Sequence, residues 1–195
     1  MSAHDHDHED MMEMHDSKYQ ETYLKLAGSR NIFFCEDVTS QTASTMTALL
    51  IYYDSISHDD INIYINSNGG DADALINIYD VMQLISSPVK TICVGKAYSA
   101  ASIILAAGTK GKRYLYKNSE VMLHQLQCSF PIYGKEGALS SAQYYEFLND
   151  YNDSVIKILS KHVGKSMATI KKDLARDLFL SPKDAVKYGI ADHIM

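Results

Sequence analysis

A serine stands where an apolar strand runs into a helix of small residues. Ser99 lies in residues 95–102 (GKAYSAAS) and begins a helix predicted over residues 99–107. A serine in this position can simply cap the helix, and the fragment alone favours a cap. The helix is nevertheless so apolar that it should run into the core, with its free amides directed toward the hydroxyl. Such amides suit the negative charge of a tetrahedral acyl intermediate, so Ser99 is a candidate nucleophile.

Two glycines follow the second predicted strand, in residues 66–70 (NSNGG). Glycine permits positive φ and the close approach of another backbone segment. Most glycine pairs are only turns. Beside Ser99, however, this turn would offer backbone amides for an oxyanion hole and an exposed edge with which an extended peptide could pair.

A histidine and an aspartate could complete a nucleophilic site. His124 ends the apolar strand 121–124 (VMLH), and Asp177 lies in residues 171–178 (KKDLARDL). Each has an ordinary structural interpretation, since a histidine at a strand end is usually structural and an aspartate at a helix end is usually solvated or paired with arginine. Spacing cannot join the two residues to Ser99, because only the fold assembles a triad.

Strands and helices alternate along most of the chain. We predict strands over residues 32–35, 61–66, 89–94, 113–116 and 120–124, and helices over residues 41–53, 72–85, 99–107, 143–162 and 182–188. Such alternation predicts an α/β domain with parallel strand pairs and right-handed crossovers.

Two of these helices have informative apolar patterns. The helix over residues 72–85 is amphipathic, and its predicted inward positions are Leu75, Ile76, Tyr79, Met82 and Leu84. The helix over residues 143–162 has more apolar surface than one crossing needs. It either covers its own domain or contacts another subunit, and the pattern alone leaves both open.

Composition sets the class of protein. The chain has 195 residues, of which 46% are hydrophobic, enough for one globular domain. Residues 1–16 are acidic and rich in histidine, so we expect a disordered tail followed by a single domain over residues 17–195. The remaining chain is electrically neutral, which argues against a nucleic-acid partner. Without an apolar run near the ~20 residues of a membrane span, or a visible signal peptide, we expect a cytoplasmic protein with no membrane contact.

Several segments together are similar to the successive signature segments of ClpP, the proteolytic subunit of the ATP-dependent Clp protease. They are residues 95–102 (GKAYSAAS), 110–114 (KGKRY), 118–125 (NSEVMLHQ), 176–181 (RDLFLS) and 185–192 (AVKYGIAD). They follow the family's order and nearly its spacing, and the resemblance covers residues 31–195. It implies the ClpP/crotonase fold of repeated strand–helix units, with a protruding helix-plus-strand handle over residues 126–162.

The resemblance also implies an activity. Ser99 matches the nucleophile, His124 the general base and Asp177 the acid that orients it, while Gly70 and Ala100 match the residues whose amides form the oxyanion hole. The implied function is that of a serine endopeptidase that cleaves unfolded polypeptides inside a barrel, with no metal or cofactor.

Assembly and partners follow from the same resemblance. The family stacks two heptameric rings into a tetradecamer, and Arg176 matches an arginine that couples ring contact to triad alignment. The implied partner is an AAA+ unfoldase of the ClpX, ClpA or ClpC type. Its docking pocket matches Tyr64, Leu84, Tyr114 and Met195, although core packing is the simpler interpretation of each residue singly.

The chain departs from the family pattern at several places. Asn68 replaces the proline of the usual Ser-Pro-Gly-Gly turn, which loses that residue's rigidity. Ala100 replaces a methionine after the nucleophile, Leu126 replaces a proline, and the stretch 127–139 is longer than usual. The histidine-rich tail could bind a divalent transition metal, although a solvated tail is the simpler interpretation.

Two further hypotheses remain beside the active peptidase. The altered turn and tail would suit a structural, non-catalytic or weakly active ring subunit that pairs with a more active paralogue. The related crotonases bind acyl-CoA thioesters with similar oxyanion holes, but a protein of that class has no need of Ser99, His124 and Asp177 together.

Overall fold

A computed structural model describes residues 21–22, 25–125 and 141–195. The predicted tail and the first part of the handle, up to residue 140, lie outside these residues. Just before the first strand, residues 25–27 are helical.

The described strands form one sheet, and most of their pairs are parallel. They are β1 (Asn31–Phe34), β2 (Ile61–Ser67), β3 (Val89–Tyr98), β4 (Arg113–Leu115), β5 (Glu120–Leu123), β6 (Leu178–Leu180) and β7 (His193–Ile194). The main order is β1-β2-β3-β4-β7, and β3 is long enough to pair with β4 along its first half and with β5 along its second. The antiparallel pair β5–β6 extends this second half.

The helices agree closely with the predicted ranges, except for a short helix over residues 167–173 that was not predicted. They are α1 (Ser40–Ile56), α2 (Ala72–Leu84), α3 (Ala100–Ala106), α4 (Ser141–Val163), α5 (Met167–Asp173) and α6 (Pro182–Tyr188). Local chemistry explains their ends: Thr39 and Thr42 form a capping box before α1, and Asp71 caps α2. Proline begins α6, and Gly189 ends it in the left-handed conformation.

The core lies between the sheet and its helices, and α3 is buried along its whole length. This burial confirms the prediction that the helix after Ser99 enters the core. A helix of small and branched residues can approach a sheet closely, which places its amino-terminal end deep beside the strand ends.

One prediction of burial is wrong. Leu84 is 81% exposed and Ile76 is only half-buried, whereas Ala74 and Ile78 are buried with Leu75, Tyr79 and Met82. The buried set keeps the spacing of three and four residues that a helix requires. Leu84 follows Met82 by two residues, a turn of roughly 200° about the helix axis, so it points away from the core.

The carboxyl-terminal part of α4 covers its own domain. Ile156 and Leu159 are almost completely buried, and Val155 and Ile158 pack against the same core. For this part of the helix, the interpretation that it covers its own domain is therefore correct. A subunit contact by its earlier part stays a prediction.

A buried ion pair ties β4 to the end of the chain. The Arg113 guanidinium donates from Nε and Nη2 to the two Asp192 carboxylate oxygens at 2.8 and 2.6 Å, and its side chain is 1% exposed. Burial alone would raise the pKa of Asp192, but hydrogen bonds and charge from Arg113, with the Gly111 amide, lower it to about 2. Two of the signature segments therefore meet in one structural contact.

Candidate active site

Ser99 occupies the junction between β3 and α3 in an unusual backbone conformation. Its φ of 51° and ψ of −125° are strained for a residue with a Cβ atom. The residue stands at the N-cap position of α3, but its side chain makes no capping hydrogen bond. The Ser99 N–H donates to the Met122 carbonyl at 2.8 Å, which ties the junction to β5. The capping interpretation of Ser99 is therefore wrong.

The Ser99 hydroxyl instead contacts an imidazole. His124 Nε2 lies 2.7 Å from Ser99 Oγ, within hydrogen-bond distance. The pairing of Tyr98 with Met122 brings the end of β3 next to the end of β5, so that the residues just beyond both strands meet. The fold therefore joins two residues that are 25 positions apart in sequence.

Asp177 is placed by a different pairing. In the antiparallel ladder of β5 and β6, Leu123 pairs with Leu178, so one further step in register sets His124 opposite Asp177. Asp177 is exposed, as is Arg176, and among the contacts between described residues no hydrogen bond joins Asp177 to His124. The backbone register thus brings the aspartate beside the histidine without a side-chain contact.

The glycine turn packs directly against the serine. A Cβ atom on Gly69 would lie 2.8 Å from Ser99 Cβ and 2.9 Å from the Ala100 nitrogen, and the φ of Gly69 is 88°. Only glycine fits this approach. Gly70 has a φ of 147° and bridges to Val38, which accepts from the Asp71 N–H and donates to the Gly69 carbonyl.

Two backbone amides remain available beside the hydroxyl. Among the described residues, the N–H groups of Gly70 and Ala100 donate to no backbone carbonyl. Both residues line the same cavity as Ser99 and His124. The arrangement can therefore direct two hydrogen-bond donors at negative charge that develops on an atom bonded to Ser99 Oγ.

The cavity beside these residues has a volume of about 290 Å³ and a largely apolar wall. Its apolar side chains are contributed by Leu75, Ile103, Val155, Ile156, Leu159 and Leu174. The sequence patterns did not place α4, or Leu174 just after α5, at the site. The only signal for that role was the excess apolar surface of the long helix, which was compatible with several other contacts.

A tyrosine beside the nucleophile is held by an acidic partner. The Tyr98 hydroxyl donates to the Glu120 carboxylate, and the Tyr98 ring meets Phe179 edge-on at 6.0 Å. The hydrogen bond to Glu120 raises the pKa of Tyr98, with a further contribution from burial. The phenol therefore stays protonated and fixed at the edge of the site.

The four residues matched to partner docking lie on the sheet and at the ends of neighbouring elements. Tyr64 on β2 and Tyr114 on β4 flank Ile92 in register. The Met195 N–H donates to the Leu115 carbonyl next to Tyr114, and the Met195 side chain is exposed. Leu84 is exposed at the end of α2. Core packing is thus excluded for Leu84 and Met195.

The sequence analysis missed two neighbours of these tyrosines. Phe33 stacks on Tyr64 with ring centroids 5.0 Å apart, and Lys90 Nζ lies 4.6 Å from the centre of the Tyr114 ring. The residue types of Phe33 and Lys90 do not predict these two contacts, since only the strand register brings each residue beside its tyrosine.

The fold brings a strained serine beside a histidine. This pairing is typical of a serine-type hydrolase. The family model described as Clp protease matches residues 14–195, nearly the whole chain. The chain belongs to the Clp protease family, and its mixed α/β fold is the ClpP-like fold that the signature segments predicted.

The described residues contain no cluster of three or more His, Cys, Asp or Glu residues that could hold a metal ion. No helix among them has the length and apolar character needed to cross a membrane. The histidine-rich tail lies outside this part of the chain.

Proposed function

We propose that this chain is a serine endopeptidase subunit that cleaves unfolded polypeptides, with Ser99 as nucleophile, His124 as general base and Asp177 as the acid that orients His124. The observation that carries the proposal is the 2.7 Å contact between Ser99 Oγ and His124 Nε2. Strain at Ser99 supports it, because a serine that served only as a cap would have no need of that conformation.

The mechanism is acyl transfer. Ser99 Oγ attacks the peptide carbonyl carbon while its proton passes to His124 Nε2. The N–H groups of Gly70 and Ala100 donate to the oxyanion of the tetrahedral intermediate. Protonated His124 then gives its proton to the leaving amine, and water attacks the acyl ester with His124 again as the base.

Asp177 acts through His124. Its carboxylate would accept a hydrogen bond from the second imidazole nitrogen, which selects the tautomer that leaves Nε2 as an acceptor. The register of β5 and β6 supports this role because it sets the two residues opposite each other. The exposed position of Asp177 in the single chain fits a contact that closes on assembly, with Arg176 as its neighbour.

The cavity predicts the specificity. Its apolar wall, with Leu75, Ile103 and Leu159, favours a substrate whose residue before the cleaved bond is apolar and of moderate size. A charged residue there would lose hydration, and the described side chains of the wall include no Asp, Glu, Lys or Arg to pair with it.

Family membership is the basis for the assembly and partners that we propose. The domain over residues 17–195 would form heptameric rings that stack into a cytoplasmic tetradecamer, with an AAA+ unfoldase docked over Tyr64, Leu84, Tyr114 and Met195. The exposure of Leu84 and Met195 supports a role in docking, because no core packing explains them.

Hydrolysis of fluorogenic peptides by the purified chain tests the catalytic proposal. We expect cleavage of peptides with an apolar residue before the scissile bond, and loss of at least about a thousandfold in kcat in Ser99→Ala and His124→Ala. Labelling by a fluorophosphonate should mark wild type and be absent in Ser99→Ala. Equal rates in wild type and Ser99→Ala would contradict the proposal.

The second candidate is a structural ring subunit that needs an active paralogue. The observation that favours it is the lack of a hydrogen bond between Asp177 and His124. In that case Ser99 is not labelled in the isolated chain or in a mixture with the paralogue, and any hydrolysis by the mixture comes from the paralogue. Labelling of Ser99 in either sample would exclude this candidate.

A further inference from the structure

The glycine turn that carries the Gly70 amide lacks the proline found at position 68 in the family's usual sequence. Asn68 leaves this turn without the fixed φ of proline. An oxyanion hole works only when its donors are already in place. Some other contact must therefore hold the turn in this chain.

The backbone of the turn is held from one side by the segment that follows β1. Val38 is 1% exposed, its N–H donates to the Gly69 carbonyl, and its carbonyl accepts from the Asp71 N–H, both at 2.8 Å. Ser67 Oγ accepts from the Gly69 N–H at 3.1 Å. These bonds fix the residues around position 68 but not the peptide plane of Asn68 itself.

The Asn68 side chain supplies a further restraint. Its Nδ2 donates to Asp37 Oδ1 at 3.4 Å, which links the turn to the residue before Val38. The main chain of Asp37 is anchored, because its carbonyl accepts from Thr42 Oγ1 at 2.9 Å, and Thr42 belongs to the capping box of α1; the Asp37 and Asn68 side chains themselves are exposed. The side-chain contact therefore connects the glycine turn to the rigid amino-terminal end of a helix.

We propose that Asp37 is a positioning residue for the oxyanion amide of Gly70, acting through Asn68, and that this side-chain contact restrains the turn as proline does in the family's usual sequence. The inference rests on the proposed function. It concerns residues that the catalytic assignment does not include.

The structure offers a direct test, since two features of the backbone are compatible with proline at position 68. No backbone hydrogen bond among the described residues uses the Asn68 N–H, so proline removes none. The preceding residue, Ser67, ends β2 in the extended conformation that proline favours for its predecessor. Asn68→Pro should therefore restrain the turn without any help from Asp37.

The experiment measures kcat and KM for a short fluorogenic peptide. We expect Asn68→Ala and Asp37→Ala each to lower kcat by about three- to tenfold, the value of one modest hydrogen bond, with KM unchanged. The double variant should equal either single variant. Asp37→Asn, which keeps an acceptor oxygen, should stay near wild type, and Asp80→Ala, an exposed aspartate on α2, serves as the matched control.

The decisive comparison uses the proline background. In Asn68→Pro, kcat should be at least that of wild type, and the addition of Asp37→Ala should leave it unchanged. Thermal melting of each variant separates loss of the turn restraint from loss of folding. If Asp37→Ala does not fold, the comparison of the two single variants Asn68→Ala and Asp37→Asn still tests the inference.

Several results would overturn the inference. One is a kcat that is unchanged in Asn68→Ala. Another is an effect of Asp37→Ala that persists in the proline background. A third is a rise in the KM of Asn68→Ala alone, which would mean that Asn68 contacts substrate. Wild type that neither cleaves peptides nor reacts with a fluorophosphonate overturns the proposed function and this inference with it. Active wild type with insensitive variants overturns the inference alone.

Discussion

At the scale of single residues, the site depends on a backbone conformation that its own side chain opposes. Ser99 has a φ of 51°, a region that suits glycine, and yet glycine could not supply the hydroxyl. The surrounding hydrogen bonds, from the Ser99 N–H to Met122 and from Ser102 to the Ser99 carbonyl, hold it there. The geometry therefore costs stability that the rest of the fold offsets.

This strain predicts a stability difference between two inactive variants. Ser99→Gly removes the Cβ atom that opposes the conformation, whereas Ser99→Ala keeps it. We expect Ser99→Gly to have a free energy of unfolding about 1 kcal/mol higher than Ser99→Ala, measured by chemical denaturation. A lower value for Ser99→Gly would mean that the conformation stores no strain, and only the entropy cost of glycine remains.

At the scale of elements, the division of β3 between two partner strands organises the site. Its first half pairs with β4 and its second half with β5, so the turn after β3 meets the end of β5. The strand pattern predicted β3 only as far as residue 94, because Gly95 and Lys96 interrupt the apolar run. The pairing with β5 continues the strand to Tyr98, a tertiary effect on a weak local preference.

The link between β4 and the end of the chain is the contact whose loss should cost most. Asp192→Ala leaves the Arg113 guanidinium buried without its carboxylate, and we expect a loss of about 3–5 kcal/mol in the free energy of unfolding, measured by urea denaturation. The matched control is Asp60→Ala, which breaks a pair with Lys112 whose side chains are 37% and 40% exposed. That variant should lose no more than about 1 kcal/mol, and equal losses in the two would contradict the argument.

At the scale of the whole molecule, one half-buried histidine predicts how stability depends on pH. His162 lies in the last turn of α4 and contacts the Tyr79 hydroxyl on α2 at 3.3 Å. Burial lowers the pKa of His162 to about 4, and the positive charges of Lys161, Arg113 and Lys110 add to the effect. The unfolded chain, with an ordinary pKa near 6.5, therefore takes up this proton more readily than the folded chain.

The sign of the effect follows from linkage. Because the pKa of His162 is lowered in the folded state, its protonation does not reduce the free energy of unfolding above about pH 6.5. As the pH falls from there toward about 4, the unfolded chain takes up the proton first and the free energy of unfolding decreases progressively. We expect the melting temperature of wild type to fall faster over this range than that of His162→Gln, which cannot be protonated. Parallel curves for the two proteins would show that the histidine is not the group responsible.

Partner docking is also a property of the whole assembly. Leu84 is the most exposed large apolar side chain of the described residues, so Leu84→Ser removes apolar surface without disturbing the core. We expect this variant to keep wild-type hydrolysis of short peptides and to lose at least about tenfold in unfoldase-dependent degradation of a folded substrate. Ile51→Ser, which alters another exposed apolar residue, on α1, is the control. Unchanged degradation with Leu84→Ser would remove this residue from the proposed docking surface.

The sequence by itself determined the order and type of most elements, since hydrophobic period and capping chemistry are local properties that short segments carry. The signature segments likewise identified Ser99 and His124 as candidates. Only the tertiary structure decided that the Ser99 hydroxyl contacts an imidazole instead of capping its helix. It also decided that Leu84 faces outward, that α4 and Leu174 line the cavity, and that Asp37 reaches the glycine turn. Each of these depends on strand register and helix rotation, which arise from packing between distant segments and leave no local trace in the chain.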